Sequence, residues 1–353
     1  MKAVVVYGPG DIRYQDLPTP PLGPREVRVE VKASGICSSD VPRALEGKGY
    51  FYPIVLGHEI AGRIAEVGGE VKGVRIGDRV AVAPLLPCWR CEWCAGGQYS
   101  LCDDYSYLGS RTNGGYAEYV SVPPENLVSL PPGVDYEAGA CLEPAAVVLH
   151  ALAKAGIMPG DDIAVVGLGS LGLLAVQLAR ILGAGRVLAV DLVAARLQVA
   201  EGFGAEGCLE DGQGVSIGMV RDRTGGWGAD LVVEAAGSAV AQERCLDMAR
   251  KGGRILYLGL PEREVRFPQA SFRRLVREEL RVYGSWNSYS APFPGYEWRA
   301  ALRYMVTGQL KVKPLITHRF TFSQAKEAFA MMRSGEGFFI KIILTPCARE
   351  GEG

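Results

Sequence analysis

The chain has 353 residues, of which 48% are hydrophobic and 22% charged, and a formal net charge of −1. That length exceeds one ordinary domain, so two cores are expected, and the apolar content is ample for both while excluding a disordered chain. Mixed, nearly balanced charge leaves no basic footprint for nucleic acid and no polybasic membrane anchor, so a small molecule is the expected partner.

Met1 to Tyr7 alternates like a strand and has no charged start followed by an apolar run; no secretory signal is read, and a cytoplasmic location is expected. From there to about Pro131 the pattern is of short strands between Gly and Pro turns, among them Val27 to Lys32, Glu59 to Val67 and Arg79 to Val82. After about Leu142 strands and helices alternate. The expected elements are strand Ile163 to Val166, helix Leu171 to Leu182, strand Val187 to Val190, helix Ala194 to Phe203, and strands Leu231 to Glu234 and Ile255 to Leu258. Their strands are continuous apolar runs, as in a doubly wound parallel sheet covered on both faces. The stretch Ile163 to Leu182 is long enough for a membrane span, but Gly167, Gly169, Gly172, Gln177 and Arg180 within it favour a buried strand followed by a packed helix. Leu280 to Tyr283 reads as an apolar strand suited to pairing across a symmetric interface. Two helical segments follow, Glu297 to Val306 and Ser323 to Ser334, then a strand, Phe339 to Leu344, and an end, Arg349 to Gly353, expected to fray.

Nine cysteines form an odd set, and four of them, Cys88, Cys91, Cys94 and Cys102, are separated by two, two and seven residues. Such spacing brings four thiolates to one point on a tight loop and predicts a closed, structural zinc site, with an iron–sulfur cluster as the competing use of four cysteines. A second, open site can be assembled from Cys37, His58 and Glu143, with Glu59 adjacent. Three protein ligands plus a water is the pattern of a catalytic zinc, although each residue alone has a blander use in packing.

Gly167-Leu168-Gly169-Ser170-Leu171-Gly172 follows a predicted strand and opens a predicted helix, the context in which a GxGxxG cradles a pyrophosphate. Asp191 ends the next strand 19 residues past Gly172, where an acid accepts hydrogen bonds from the adenosine ribose. That carboxylate favours NAD over NADP; Arg196 nearby is the residue that would suit the 2′-phosphate instead.

Taken together these residues resemble the zinc-containing medium-chain dehydrogenases across essentially the whole chain. The resemblance implies two zincs, one catalytic and one structural, and a Rossmann NAD-binding domain (146–286) inserted into a GroES-like, β-rich catalytic domain (1–145 and 287–353). Within the family, Cys37-Ser38-Ser39-Asp40-Val41-Pro42-Arg43, Leu85-Leu86-Pro87-Cys88, Gly109-Ser110-Arg111, Gly114-Gly115-Tyr116-Ala117-Glu118-Tyr119 and Gly284-Ser285-Trp286 are most similar to the branch that oxidises galactitol 1-phosphate to tagatose 6-phosphate. By this resemblance Cys37, His58 and Glu143 match the catalytic zinc ligands, and Glu59 matches a carboxylate that approaches the metal. Asp40 would orient the His58 ring, and Ser39 would pass the substrate proton outward. Pro42 departs from the pattern, since many relatives carry a histidine there, so the proton must leave by another route. Arg43 and Arg111 are the cations expected to meet a phosphate, and Trp286, Asn287 and Tyr289 are candidates to line a polyol pocket. An unphosphorylated polyol, a diol or threonine would suit the same scaffold, and a homodimer or homotetramer is the expected assembly. A non-catalytic binding protein of this fold would be expected to have lost Cys37, His58 or Glu143, and all three are present.

Overall fold

In a computed structural model, residues 1–335 and 337–346 are described; Cys347 and the end expected to fray, Arg349 to Gly353, lie outside them. The chain divides into two compact units. The first comprises Met1–Glu143, Tyr289–Gly308 and the described residues from Val312 on, and the second Pro144–Ser288 with Gln309–Lys311.

The first unit is built on one sheet in the order Ile316–Thr321, Lys341–Thr345, Val27–Ile36, Glu59–Val67, Arg79–Val82, Leu127–Ser129, with Tyr119–Val122 also pairing onto Val27–Ile36. Its first pair is parallel, and every other pairing is antiparallel. Val27, Val29 and Val31 are buried while Arg28, Glu30 and Lys32 are partly exposed, the period-2 pattern of a one-sided strand. Beyond Lys32 the strand is buried on both faces, from Ala33 to Ile36. It therefore delivers Cys37 into the interior. Gly35 pairs with Glu59 and Ile36 with Ile342, so register sets Cys37, His58, Glu59 and Lys341 around one strand end. The core behind them joins Val4, Val6, Val29, Leu56, Ile60, Tyr116, Phe322 and Phe329.

The second unit is a six-stranded, wholly parallel sheet in the order Glu206–Leu209, Arg186–Asp191, Asp162–Val166, Ala229–Glu234, Ala249–Tyr257, Arg281–Gly284. Counted along the chain this is 3-2-1-4-5-6, the doubly wound dinucleotide-binding order. Ile163 to Val166 and Val187 to Asp191 are buried throughout, which is why they read as unbroken apolar runs. The strand Glu206–Leu209 and the helices Val215–Arg223, Ala239–Met248 and Gln269–Arg277 carry no comparable signal. Of the first only Cys208 is fully buried, and of Val215–Arg223 only Ser216 and Val220. The apolar strand expected over Leu280 to Tyr283 lies one residue on, at the sheet edge, with Val282 exposed. Among the described residues no helix is long and apolar enough to cross a membrane.

Candidate active site

The long strand of the first unit ends at Ile36, and the short helix Asp40–Leu45 begins three residues after Cys37, with Ser39 at its N-cap position. Donor atoms of Cys37, His58 and Glu59 all lie within 4.8 Å of one another. His58 and Glu59 are buried. A thiol, an imidazole and a carboxylate converging in the interior form a donor set suited to a borderline ion such as Zn²⁺.

The surroundings hold this set in place. Asp40 is fully buried; it accepts the Cys37 N–H at 3.4 Å and the Tyr116 phenol at 2.7 Å, and its other oxygen lies 3.5 Å from His58 Nδ1. Burial alone would raise the Asp40 carboxyl, but His58, Arg43 and Tyr116 outweigh it and hold Asp40 below the usual carboxylate range. Tyr116 in turn fits only because residue 57 is glycine. Gly57 has φ +97°, and a Cβ there would sit 2.5 Å from the Tyr116 ring. Glu59 receives both its bonds from Lys341 Nζ, at 2.7 and 2.8 Å, and the same ammonium reaches the Ile36 carbonyl at 3.2 Å. Burial would lower the Lys341 ammonium; the Glu59 carboxylate reverses that and raises it.

Ser39 Oγ donates to Cys37 Sγ at 3.3 Å and accepts from Arg43 Nη1 at 2.9 Å. Glu143 enters from the helix Leu142–Ala155 and is buried, but stands outside the tight three-donor group. Its Oε1 accepts the Tyr107 phenol at 3.1 Å, and burial pushes its carboxyl up to about 7. The Arg111 guanidinium lies over the rings of Tyr50 and Tyr105, 4.5 Å from each centroid. Tyr289, also in this unit, is buried, and its hydroxyl accepts the Leu85 N–H at 3.1 Å. Trp286, half exposed, and Asn287, buried with φ +55°, belong to the second unit.

Cys88, Cys91, Cys94 and Cys102 bring their sulfurs within 4.8 Å of one another. The N–H groups of Arg90 and Cys91 aim at Cys88 Sγ and pull that thiol down to about 6, while burial pushes Cys94 up to about 12. Cys88 Sγ and Cys94 Sγ are 4.0 Å apart. A tetrahedral zinc with Zn–S near 2.3 Å separates its sulfurs by about 3.8 Å. The set thus fits a single ion and is too tight for an iron–sulfur cluster. Trp89 takes a left-handed φ of 60° inside the loop and packs edge-on against Tyr99 and Phe293, and Phe293 stacks on Tyr289.

In the second unit Gly167 turns the chain with φ +89°, and a Cβ at Gly172 would lie 1.8 Å from the Gly167 carbonyl. Nothing lies within 4 Å of a Cβ built at Gly169, the residue preceding the helix Ser170–Ile181. Two glycines thus serve close packing, and the third leaves the helix N-terminus open to a pyrophosphate. Asp191 accepts the N–H groups of Leu168 at 2.6 Å and Val193 at 2.8 Å, tying the glycine turn to the end of the second strand. Arg196 lies 3.8 Å from the same carboxylate.

Sequence reasoning did not find Tyr107, Tyr116 or Lys341. Lys341 carried a signal, a single cation within the apolar run Phe339 to Leu344. Tyr107 carried none, because its partners are distant in the chain, and Tyr116 stood in the motif Gly114 to Tyr119 with no role assigned to it.

Comparison with known proteins places the chain in a family. The family described as "Alcohol dehydrogenase GroES-like domain" matches residues 23–132 and that described as "Zinc-binding dehydrogenase" matches residues 170–306. Galactitol 1-phosphate 5-dehydrogenase of Escherichia coli K12 is 37% identical over 329 residues, 93% of this chain and 95% of that protein. A crystal structure of galactitol-1-phosphate dehydrogenase from Escherichia coli superposes with a TM-score of 0.91 at 35% identity, covering 98% of this chain and 100% of that one. Sorbitol dehydrogenase of Halalkalibacterium halodurans is 36% identical over 98% of this chain and 99% of its own length. A zinc-binding dehydrogenase from Sinorhizobium meliloti 1021, solved with NADP bound, has a TM-score of 0.89 at 30% identity, covering 98% of this chain and 99% of that one. The chain belongs to the zinc-binding, GroES-like medium-chain alcohol and polyol dehydrogenases, and it is a nicotinamide-linked oxidoreductase.

Proposed function

We propose that the chain oxidises one secondary hydroxyl of a polyol phosphate, with galactitol 1-phosphate to tagatose 6-phosphate as the leading case, and passes the hydride to NAD. The observation that carries the chemistry is the convergence of a half-buried Cys37 with buried His58 and Glu59, with the Ser39 hydroxyl beside them. Zinc held there, by Cys37 and His58 with Glu143 and Glu59 as the available carboxylates, would supply Lewis acidity toward a hydroxyl, and NAD would supply the hydride acceptor. Asp40 fixes the His58 ring. Ser39 accepts the substrate proton and passes it on. Arg43 cannot be the next carrier, since a guanidinium has no acceptor. The proton therefore goes from Ser39 to water or to the cofactor ribose, consistent with Pro42 at the position where many relatives have histidine. A second zinc would be held by Cys88, Cys91, Cys94 and Cys102, whose four thiolates would leave no open position, and its role would be structural.

Gly167, Gly169, Ser170, Leu171 and Gly172 take the pyrophosphate, and Asp191 the adenosine ribose, with its negative charge set against a 2′-phosphate. Arg196 already faces that charge at 3.8 Å. For the substrate phosphate Arg111 is the cation we favour; its guanidinium carbon lies 4.5 Å from the ring centres of Tyr50 and Tyr105. Arg43 is more committed, to Ser39 and Asp40. Trp286 and Asn287 remain candidates for the polyol. We assign the enzyme to the cytoplasm as a dimer or tetramer; the exposed edge strand Arg281–Gly284 supports self-association, and light scattering on the purified protein tests it. The relative named for sorbitol favours a second reading, an unphosphorylated polyol.

The deciding experiment measures NADH formation from galactitol 1-phosphate beside galactitol, sorbitol, threonine and 2,3-butanediol. Preference for the phosphate ester supports the assignment. Equal or faster turnover of a free polyol removes the phosphate pocket and keeps the zinc chemistry. Loss of turnover in Cys37→Ala with NAD binding intact checks the site itself.

A further inference from the structure

Strand Ala229–Glu234 runs buried and apolar through Leu231, Val232 and Val233, then ends on a carboxylate, Glu234, that is itself fully buried. A carboxylate taken out of water must be met by donors. Those of Glu234 come from the turn that follows it: Oε1 accepts the N–H groups of Ala236 at 2.9 Å and Gly237 at 2.8 Å. Oε2 accepts from Gln242 Nε2 at 3.3 Å, and the same amide donates to the Gly259 carbonyl at 2.8 Å. Burial raises the Glu234 carboxyl, and these N–H donors oppose it.

The ends of three neighbouring strands are thereby joined. The Ala235 N–H binds the Val166 carbonyl at 2.8 Å, where Asp162–Val166 ends, and the Leu258 N–H, just past Ala249–Tyr257, binds the Glu234 carbonyl at 2.9 Å. Asp162–Val166 and Ala229–Glu234 are neighbours in the sheet, yet the chain runs outward from the first to Arg186–Asp191 and Glu206–Leu209 before it returns to the second. The gap between them is the switch point at which a doubly wound sheet binds its dinucleotide. One wall of that crevice is the turn after Glu234, and the other is the Gly167 turn. The two are in close contact, since a Cβ at Gly167 would lie 2.6 Å from Ala236 Cα, while Ala236 itself is exposed. We infer that Glu234 is a positioning residue for the cofactor: by holding Ala236 and Gly237 it fixes the wall against which the pyrophosphate and nicotinamide half are laid, and leaves the adenosine half to Asp191. This rests on the reading of the Gly167 turn as the pyrophosphate seat.

The test is Glu234→Gln, which keeps the shape of the side chain. Its amide oxygen can take the two backbone N–H groups only by turning its NH2 onto Gln242 Nε2, so a donor faces a donor and the turn shifts. By calorimetry on the zinc-loaded protein the Kd of NAD rises about tenfold, the size of one charge-assisted hydrogen bond, while the Kd of AMP, which needs only the adenosine half, stays at the parent value. Adding Gln242→Met to Glu234→Gln removes the opposing donor and recovers most of the loss. Gln242→Met alone leaves the two backbone bonds and raises the Kd of NAD less, by about threefold, again with AMP unchanged. An unchanged Kd of NAD in both single variants would overturn the inference. So would an equal loss for NAD and AMP, which would mean that Glu234 supports the whole unit rather than one wall. AMP failing to compete with NAD for the parent would instead refute the cofactor site on which the inference stands. Circular dichroism on each variant shows that it is folded.

Discussion

Replacing Lys341 by Met tests whether the ion pair behind the donor group is structural. The ammonium and the Glu59 carboxylate are both nearly inaccessible, 4% and 1% exposed. Coulomb attraction in that interior only offsets the cost of burying two ions, so the pair itself adds little net stability. Removing one partner is different, since Glu59 then keeps its charge with no counter-ion; such truncations cost about 3–5 kcal/mol. For a unit of roughly 200 residues each kcal/mol lowers the melting temperature by about 2–4 °C, so Lys341→Met is expected to melt about 6–20 °C lower. Adding Glu59→Gln removes the orphaned charge and recovers most of the loss. The pH dependence has a definite sign. Lys341 is raised above the ordinary lysine value of 10.5 in the folded state, so its contribution is complete below that value and is lost as pH climbs through the higher folded value. The difference between parent and Lys341→Met therefore shrinks only in strong alkali. Thermal unfolding followed by circular dichroism at matched metal content measures all three. A single mutant melting within about 1 °C of the parent at neutral pH would refute the argument, because no buried charge would then have been stranded.

Gly57→Ala places a Cβ 2.5 Å from the Tyr116 ring at φ +97°, and is expected to cost at least about 2 kcal/mol in denaturant unfolding and to weaken metal retention through Asp40. Cys94→Ser should lower zinc content, by elemental analysis, from two per chain to one, with greater protease sensitivity of the loop from Cys88 to Cys102. Asp191→Ser should raise KM for NAD about tenfold or more and narrow the preference over NADP, as read from initial rates with each cofactor.

What the sequence made legible was whatever lies close along the chain. Cys88 to Cys102 declare themselves by spacing, and the glycine turn by the strand before it and Asp191 after it. Strands covered on both faces, such as Ile163 to Val166, read as unbroken apolar runs. The remainder depends on contacts that close across long separations. Lys341 meets Glu59 from 282 residues away, and Tyr107 reaches Glu143 across 36. The lone cation in an apolar run marks Lys341 as unusual, but no local pattern encodes the partner of either residue. Strand Glu206–Leu209 and helix Val215–Arg223 escaped for the opposite reason, having few fully buried residues and therefore little of the periodicity that burial imposes. The two cations expected to meet a phosphate differ in their surroundings, Arg43 bonding to Ser39 and Asp40 while Arg111 lies over the rings of Tyr50 and Tyr105.

The stack that runs from Trp89 through Phe293 to Tyr289 has a practical consequence for anyone handling the protein. Tyr289 closes on Leu85, and Leu85 is the strand partner of Tyr107, so the cysteine loop is a template on which the far end of that ribbon is assembled. A preparation partly stripped of metal at the four cysteines is then expected to lose specific activity out of proportion to its total zinc, even with the Cys37 site filled. Yield per milligram would report the history of the loop as much as the number of working sites.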